Sequence, residues 1–312
     1  MKKRITFASD ADWRAARADG IGGSEVGTIM GANPWCTPYQ LWTRKLAERR
    51  GEFSDFVSED AQRGHDMEQA VVSTWERVTG RKIMKATAGN FMFRDEGHPW
   101  RQASPDRVYY VDGKADGILE CKTTKRRIEA QNLPLSWVFQ LQYYLGISGM
   151  KHGSIAWYGF NYEFGHVDME FSEEVFGLVC KVVDNFWHSC IVGGDEPAAV
   201  SVDDVAAMYP ASEDGKADDV EYTEYTAWQQ YHDLLEQKRR VEDEIEEAKA
   251  LLLAKCTDAE SYKYLGETLW TYKTQSRTTI SKEKLIEAGL NPADYSETKE
   301  SRVFRVKPPK TL

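Results

Sequence analysis

The stretch ASPDRVYYVDGKADGILECKTTK, residues 103–125, constrains this chain more than any other. It reads as a β-hairpin, two β-type runs around the dipeptides DG at 112–113 and at 116–117. With the turn centred on Gly113, Asp106 lies seven residues before the centre and Glu120 seven after it. Their carboxylates then oppose each other across the strands, about 5 Å apart. The second DG offers another break. Glu120 and Lys122, two apart on one strand, point to the same face. Facing carboxylates repel by about 4 kcal/mol at ~4 Å and an effective dielectric of about 20. Keeping them there implies a cation between them or a proton on one of them. Oxygen ligands suit Mg²⁺ or Mn²⁺ better than Zn²⁺. Such a cation holds a phosphate and lowers the pKa of bound water. Lys122 is placed to orient that water or to stabilise charge on the phosphate.

Three further groups join this hairpin. Glu68 sits in RGHDMEQAVV, on a helix read over 61–80 whose apolar stripe is Met67, Val71, Trp75 and Val78, with Gly80 as its stop. At the edge of that stripe, Glu68 faces either a sheet, as a third carboxylate, or solvent. In QLQYY, Gln140 and Tyr144 are four apart and share a helix face, while Gln142 points elsewhere. Near the start, RADGIGGSEVGTIMG packs glycines around Ser24, which implies sharp turns or close approach of the backbone. Ser24 is read there as the N-cap of a short helix.

Other segments place these motifs on a mixed α/β core. TPYQLWTRKLAERRG, SWVFQLQYYLGI and the run after Ser172 read as helices, the last with Val175, Leu178, Val179, Val182 and Phe186 inward. NFMFRD, GSIAWYGF and HVDMEFS read as strands. The expected architecture is a mixed central sheet flanked by helices over 1–194. An acidic linker over 195–221 follows, then a C-terminal region over 222–312. That region opens with a long helix over 222–256, whose heptad seam runs Leu234, Lys238, Val241, Ile245, Ala248, Leu252. It continues with strand-like KYLGETLWTYKTQS and ESRVFRVK. From 271 to 312 there are nine Lys/Arg against five Asp/Glu, so this end is locally basic. The helix either folds back on the core or serves as an arm for oligomerisation or partner docking.

These pieces together resemble the YqaJ-type viral recombinase family, which includes the phage lambda exonuclease, within the PD-(D/E)XK nuclease superfamily. The resemblance covers roughly residues 10–190 through RADGIGGSEVG, RGHDMEQAV, SPDR…GILECKT and QLQYY, in the family's order. It implies a restriction-endonuclease-like core with two Mg²⁺ or Mn²⁺ ions. Their ligands would be Asp106, Glu120, Glu68 and the main-chain carbonyl of Cys121, beside Lys122, Gln140 and Tyr144. The family usually has glycine where this chain has Arg107, which puts the local turn in question. The resemblance also implies that Arg17 and Ser24, seven residues apart, bind a 5′-terminal phosphate. Physically, free N–H groups at a helix start attract an anion, Gly22 and Gly23 admit it closely, and Arg17 grips it in bidentate fashion.

The expected activity is 5′-to-3′ exonuclease digestion of double-stranded DNA, leaving 3′ overhangs for phage-type single-strand-annealing recombination. The alternatives are an endonuclease or single-strand nuclease of the same fold, or an inactive DNA-end-binding scaffold. A net charge of −10 argues against a broad nucleic-acid coat and leaves a local basic channel. By resemblance, that channel lies inside a trimeric ring on DNA ends, with a single-strand annealing protein as partner. Five cysteines with no CxxC pair argue against a zinc ribbon or disulfide framework. The expected setting is the cytoplasm of a bacterial host, with phage or prophage origin. No run of about 18 apolar residues is read, so no membrane span is expected.

Overall fold

Two opposite faces of one sheet organise the core, because strand side chains alternate. The computed structural model describes residues 2–54, 58–84, 91–274 and positions 285, 286, 288, 289 and 291. The chain divides into two compact units, Met1–Met208 and Tyr209–Leu312. In the first, β4 (Arg107–Val111), β5 (Lys114–Thr123), β6 (His152–Tyr158) and β7 (Phe164–Glu170) form the main sheet in that order. The β5–β6 pair is parallel and the other two are antiparallel, so the sheet is mixed. A smaller antiparallel sheet joins β1 (Lys2–Thr6), β2 (Phe91–Asp95) and β3 (Gln102–Ala103). The short β1 and β3 were not among the strands read from sequence.

Helix α4 (Glu59–Thr79) covers one face of the main sheet. Its Val71, Val72 and Trp75 pack with Tyr109, Leu119 and Ala156. Ser58 caps its start by accepting from the Ala61 N–H, and Gly80 ends it at φ 72°. The stripe differs from expectation at its end: Val78 is exposed, and Val72 is buried instead. The other face is covered by α5 (Leu135–Ser148), every residue of which from Gln140 to Ile147 is buried. Such a helix is apolar nearly all round because elements surround it. It lies against α2 (Gly23–Ile29), α6 (Glu173–Asn185) and both sheets. A Cβ on Gly146 would meet the Phe176 ring at 2.2 Å, so glycine lets α6 come close.

The hairpin combines both DG signals. Asp112 (φ 47°) and Gly113 (φ 79°) form the two-residue turn, which pairs Val111 with Lys114. A bulge then absorbs Asp116, so that Tyr109 pairs with Gly117 and Arg107 with Leu119. One step further on, Asp106 meets Glu120.

Helix α1 (Asp10–Ala18) was not read from sequence, and α3 (Pro38–Arg49) starts on a Thr37–Gln40 capping box with Pro38 at its first turn. On α6, Val179, Cys180 and Val183 are buried, whereas Leu178 is exposed. The α6 helix runs on through a π-helical segment, Phe186–Val192. Against the expectation of no candidate span, Glu173–Val192 is long and apolar enough to cross a membrane by length and composition. Here Val179, Val183, Phe186, Trp187 and Ile191 belong to the main core. Within the stretch read as linker, α7 (Val202–Met208) is helical. Its buried Asp204 accepts from the Thr37 hydroxyl at 2.8 Å and from the Val200 and Ser201 N–H groups.

The second unit holds α8 (Tyr222–Leu253) and a hairpin of β8 (Ser261–Tyr264) and β9 (Glu267–Thr271), with Tyr262 and Trp270 stacked at 5.1 Å. The expected strand ESRVFRVK and most of the basic tail lie outside the described residues.

The indole of Trp75, fully buried, donates to Ser154 Oγ at 2.8 Å. Trp75→Ala is expected to remove about 3–5 kcal/mol of stability, read as a shift in the urea midpoint of the purified chain.

Candidate active site

Strand parity sorts the acidic groups. Ile118 belongs to the core on the α5 side and Leu119 to that on the α4 side. Glu120 and Lys122, in step with Ile118, therefore face α5. Arg107, in step with Tyr109, faces α4.

On the α5 side the contacts are close. Lys122 Nζ donates to Glu120 Oε2 at 3.0 Å and to Gln140 Oε1 at 2.9 Å. Gln140 Nε2 also donates to Glu120 Oε2, at 2.6 Å. The Asp106 N–H donates to Glu120 Oε1 at 3.3 Å, and the Cys121 N–H donates to Asp106 Oδ2 at 2.7 Å. Tyr144, one turn along α5, is buried beside them, and burial pushes its phenol well up. Gln142 turns away to the Glu170 carbonyl and the Ser172 N–H.

Charge at this site is out of balance. Burial, then repulsion by Asp106, pushes Glu120 up to about 8, against the pull of Lys122. Burial likewise raises Asp106, with Glu68 adding to the effect and Lys122 opposing it. For Lys122, burial favours loss of its proton, but Glu120 and Asp106 outweigh that and raise its pKa. One ammonium cannot neutralise two carboxylates, one buried and one half-buried. The donors are hard oxygens, and this fits a divalent cation such as Mg²⁺ or Mn²⁺.

Glu68 is placed differently. It lies on α4, and Arg107 Nη1 donates to its Oε1 at 2.5 Å and to the Asp106 carbonyl at 2.6 Å. The arginine that stands in the glycine position is thus the counter-ion of the third carboxylate. Among the described residues, no three His, Cys, Asp or Glu side chains are grouped as a metal cluster. Sequence reasoning noted Arg107 only as a departure. Its parity, opposite to that of Glu120, was the available signal that it would face α4.

Arg17 and Ser24 are in contact, Arg17 Nη2 donating to Ser24 Oγ at 3.2 Å, and Arg17 stacks on Trp13 at 4.8 Å. The reading of Ser24 as N-cap is corrected: Gly22 caps α2, and Ser24 is the second helical residue. Helix α2 has only seven residues, and Glu25 already accepts from the Gly22 N–H at 2.8 Å. The glycines also serve another purpose than expected. A Cβ on Gly22 would stand 2.9 Å from Arg17 Nη2, and one on Gly23 would stand 2.3 Å from the Tyr144 ring. They make room for side chains of the protein itself. Ser24, Lys122 and Gln140 line one cleft of about 740 Å³, whereas Arg17 lines a separate one together with Ser24.

A buried pair not foreseen from sequence supports Arg17. Lys45 Nζ lies 2.8 Å from Glu25 Oε1 and donates to the Arg17 carbonyl at 3.0 Å, with its side chain 1% exposed. Burial pushes the Glu25 carboxyl up, but Lys45 and Arg17 together bring it below its ordinary value.

Residues 12–151 match the family model of the YqaJ-like viral recombinase domain. The matched residues lie within the first unit. Over 305 residues the chain is 28% identical to the uncharacterized protein YqaJ of Bacillus subtilis (strain 168), covering 94% of this chain and 92% of that one. Among solved structures, the chain is similar to LHK-Exo in complex with dAMP, at 16% identity and a TM-score of 0.49, covering 58% of this chain and 93% of that one. It is also similar to a phage-related exonuclease from Haemophilus somnus 129PT, at 11% identity and a TM-score of 0.40, covering 56% and 96%. Within the matched residues, the motifs around Glu68, Asp106, Glu120 and Gln140 meet around β5, and of the Arg17–Ser24 pair Ser24 borders the cleft that holds Lys122.

Lys45→Met leaves Glu25 buried without its partner and is expected to cost about 3–5 kcal/mol at pH 7. The folded pKa of Glu25 is depressed, so its stabilisation is present above the unfolded carboxylate pKa and is lost as pH falls through the folded value. Chemical denaturation at pH 7 and in mild acid checks both: the gap between wild type and variant is expected to narrow in acid.

Proposed function

We propose that this chain is a divalent-metal-dependent nuclease that digests linear duplex DNA from the 5′ end and leaves 3′ single strands for annealing-type recombination. The observation that carries the reading is the pair of adjoining carboxylates, half-buried Asp106 and buried Glu120, beside one ammonium, that of Lys122, which bonds Glu120. The YqaJ-like domain, by its description a viral recombinase domain, supports the setting in recombination.

Each residue then has a task that its position supports. Asp106 and Glu120 would hold the cation, with the Cys121 carbonyl as a further oxygen and Glu68 available if Arg107 released it. When bound, the cation supplies charge neutralisation at the phosphate and acidifies a water molecule. Lys122, kept protonated by its neighbours, acts as a fixed positive donor to the phosphate or the attacking water, not as a base. Gln140 fixes Lys122 and Glu120 relative to each other, and Tyr144, buried one turn on, packs the same helix face. Arg17 and Ser24 take the 5′ phosphate, which sets register and direction of cutting.

Three outcomes are expected. First, Lys122→Ala and Asp106→Ala abolish Mg²⁺-dependent digestion of linear duplex DNA while circular dichroism stays that of wild type, and covalently closed circles are spared by the wild type. Digestion by both variants would remove the site. Second, Arg17→Ala lowers the rate on 5′-phosphorylated ends by roughly 10- to 100-fold and leaves 5′-hydroxyl ends nearly unchanged. Equal rates of the wild type on both ends would remove the phosphate assignment. Third, the raised folded pKa of Glu120 means that the metal-free core gains stability below the unfolded value of 4.5 and loses it as pH rises toward about 8. A cation replaces the proton, so Mg²⁺ is expected to raise Tm more at about pH 8.5 than at about pH 6.

A further inference from the structure

The cleft that holds Lys122 and Gln140 carries an aromatic side chain with no part in the chemistry above. Trp35 lies in the loop between α2 and α3 and is 78% exposed. Its backbone is fixed: its N–H donates to Asn33 Oδ1 at 3.0 Å, and Asn33 Nδ2 donates to Thr28 Oγ1 at 2.9 Å. Across the cleft, the Arg126 guanidinium sits 5.5 Å from the centre of the Trp35 ring and pairs with no carboxylate among the described residues. The backbone of Arg126 is held as well, its N–H donating to Thr124 Oγ1 at 3.1 Å and its carbonyl accepting from the Phe160 N–H at 3.3 Å. Trp35 and Arg126 border both the cleft with Ser24, Lys122 and Gln140 and an adjoining cavity of about 650 Å³ that holds Arg63 and Lys125.

A large ring left in water on an anchored loop, topped by an unpaired cation, suits a flat and electron-rich ligand beside negative charge. A nucleotide is such a ligand. Clefts of this size take small ligands, not a double helix. A strand reaching Lys122 through it therefore arrives unpaired, with bases that have lost their neighbours in the stack. We infer that Trp35 and Arg126 form a stacking platform for an unpaired nucleobase of the strand that enters the site, with Arg126 also facing the adjacent phosphate. This rests on the nuclease reading, and the sequence preference should be weak because every base has a π-face.

The test uses the full chain carrying Lys122→Ala, in Mg²⁺, with binding read by fluorescence anisotropy. Two 5′-phosphorylated single-stranded oligonucleotides are compared, one intact and one with abasic sites at its first four nucleotides. The intact strand is expected to bind roughly 5- to 100-fold more tightly. Adding Trp35→Ala brings that ratio close to one, Trp35→Phe keeps most of it, and Arg126→Ala weakens both oligonucleotides. A ratio that Trp35→Ala leaves unchanged overturns the platform. If the chain with native Lys122 digests linear duplex DNA in the same buffer, only the platform falls; if it neither binds nor digests DNA, the nuclease reading falls with it.

Discussion

Two adjoining acids, one buried and one half-buried, stand beside one amine in this protein, and the organisation of the core follows from holding them there. Asp106 and Glu120 are joined through the Asp106 N–H, and Lys122 is joined to Glu120. Holding a buried and a half-buried carboxylate beside one ammonium leaves an excess of negative charge that neither packing nor hydrogen bonding removes. The raised pKa values of both acids express that excess. A proton on Glu120 or a bound cation restores the balance.

The architecture makes the arrangement rigid. Strand β5 is buried between two helices, so its alternation has consequences on both sides. Glu120 and Lys122 meet α5, which supplies Gln140 and Tyr144, and Arg107 meets α4, which supplies Glu68. Arg107 thus balances one acid on one side of the sheet and leaves the other two unbalanced. The Glu25–Lys45 pair does comparable work under the glycine-rich segment, where it holds the Arg17 carbonyl and brings that arginine against Ser24.

Much of this was legible in the residues. The opposition of Asp106 and Glu120 follows from counting outward from the turn, and the count survived an unforeseen compensation. The turn is half a residue away from Gly113, and the bulge at Asp116 restores the register. Gln140 and Tyr144 were found because helical spacing is reliable for a buried helix. Less legible were features set by distant partners. Ser24 looked like a cap, but the carboxylate of Glu25 made Gly22 the cap. Val78 and Leu178 fit an apolar stripe, yet they lie where nothing packs on them, and helical period alone does not say where a stripe ends. Lys45 reads as one more surface lysine of a charged helix until its buried partner is known.

Arg107 turns Glu68 aside, so the claim that matters most concerns Asp106 and Glu120 alone. Anomalous diffraction at the manganese edge, from crystals equilibrated with Mn²⁺, tests it directly. A single strong peak between the carboxylate oxygens of Asp106 and Glu120, near the Cys121 carbonyl, is the predicted result. Full Mn²⁺ exposure with no peak there, and both carboxyls still bonded only to Lys122, Gln140 and the backbone, would contradict the account.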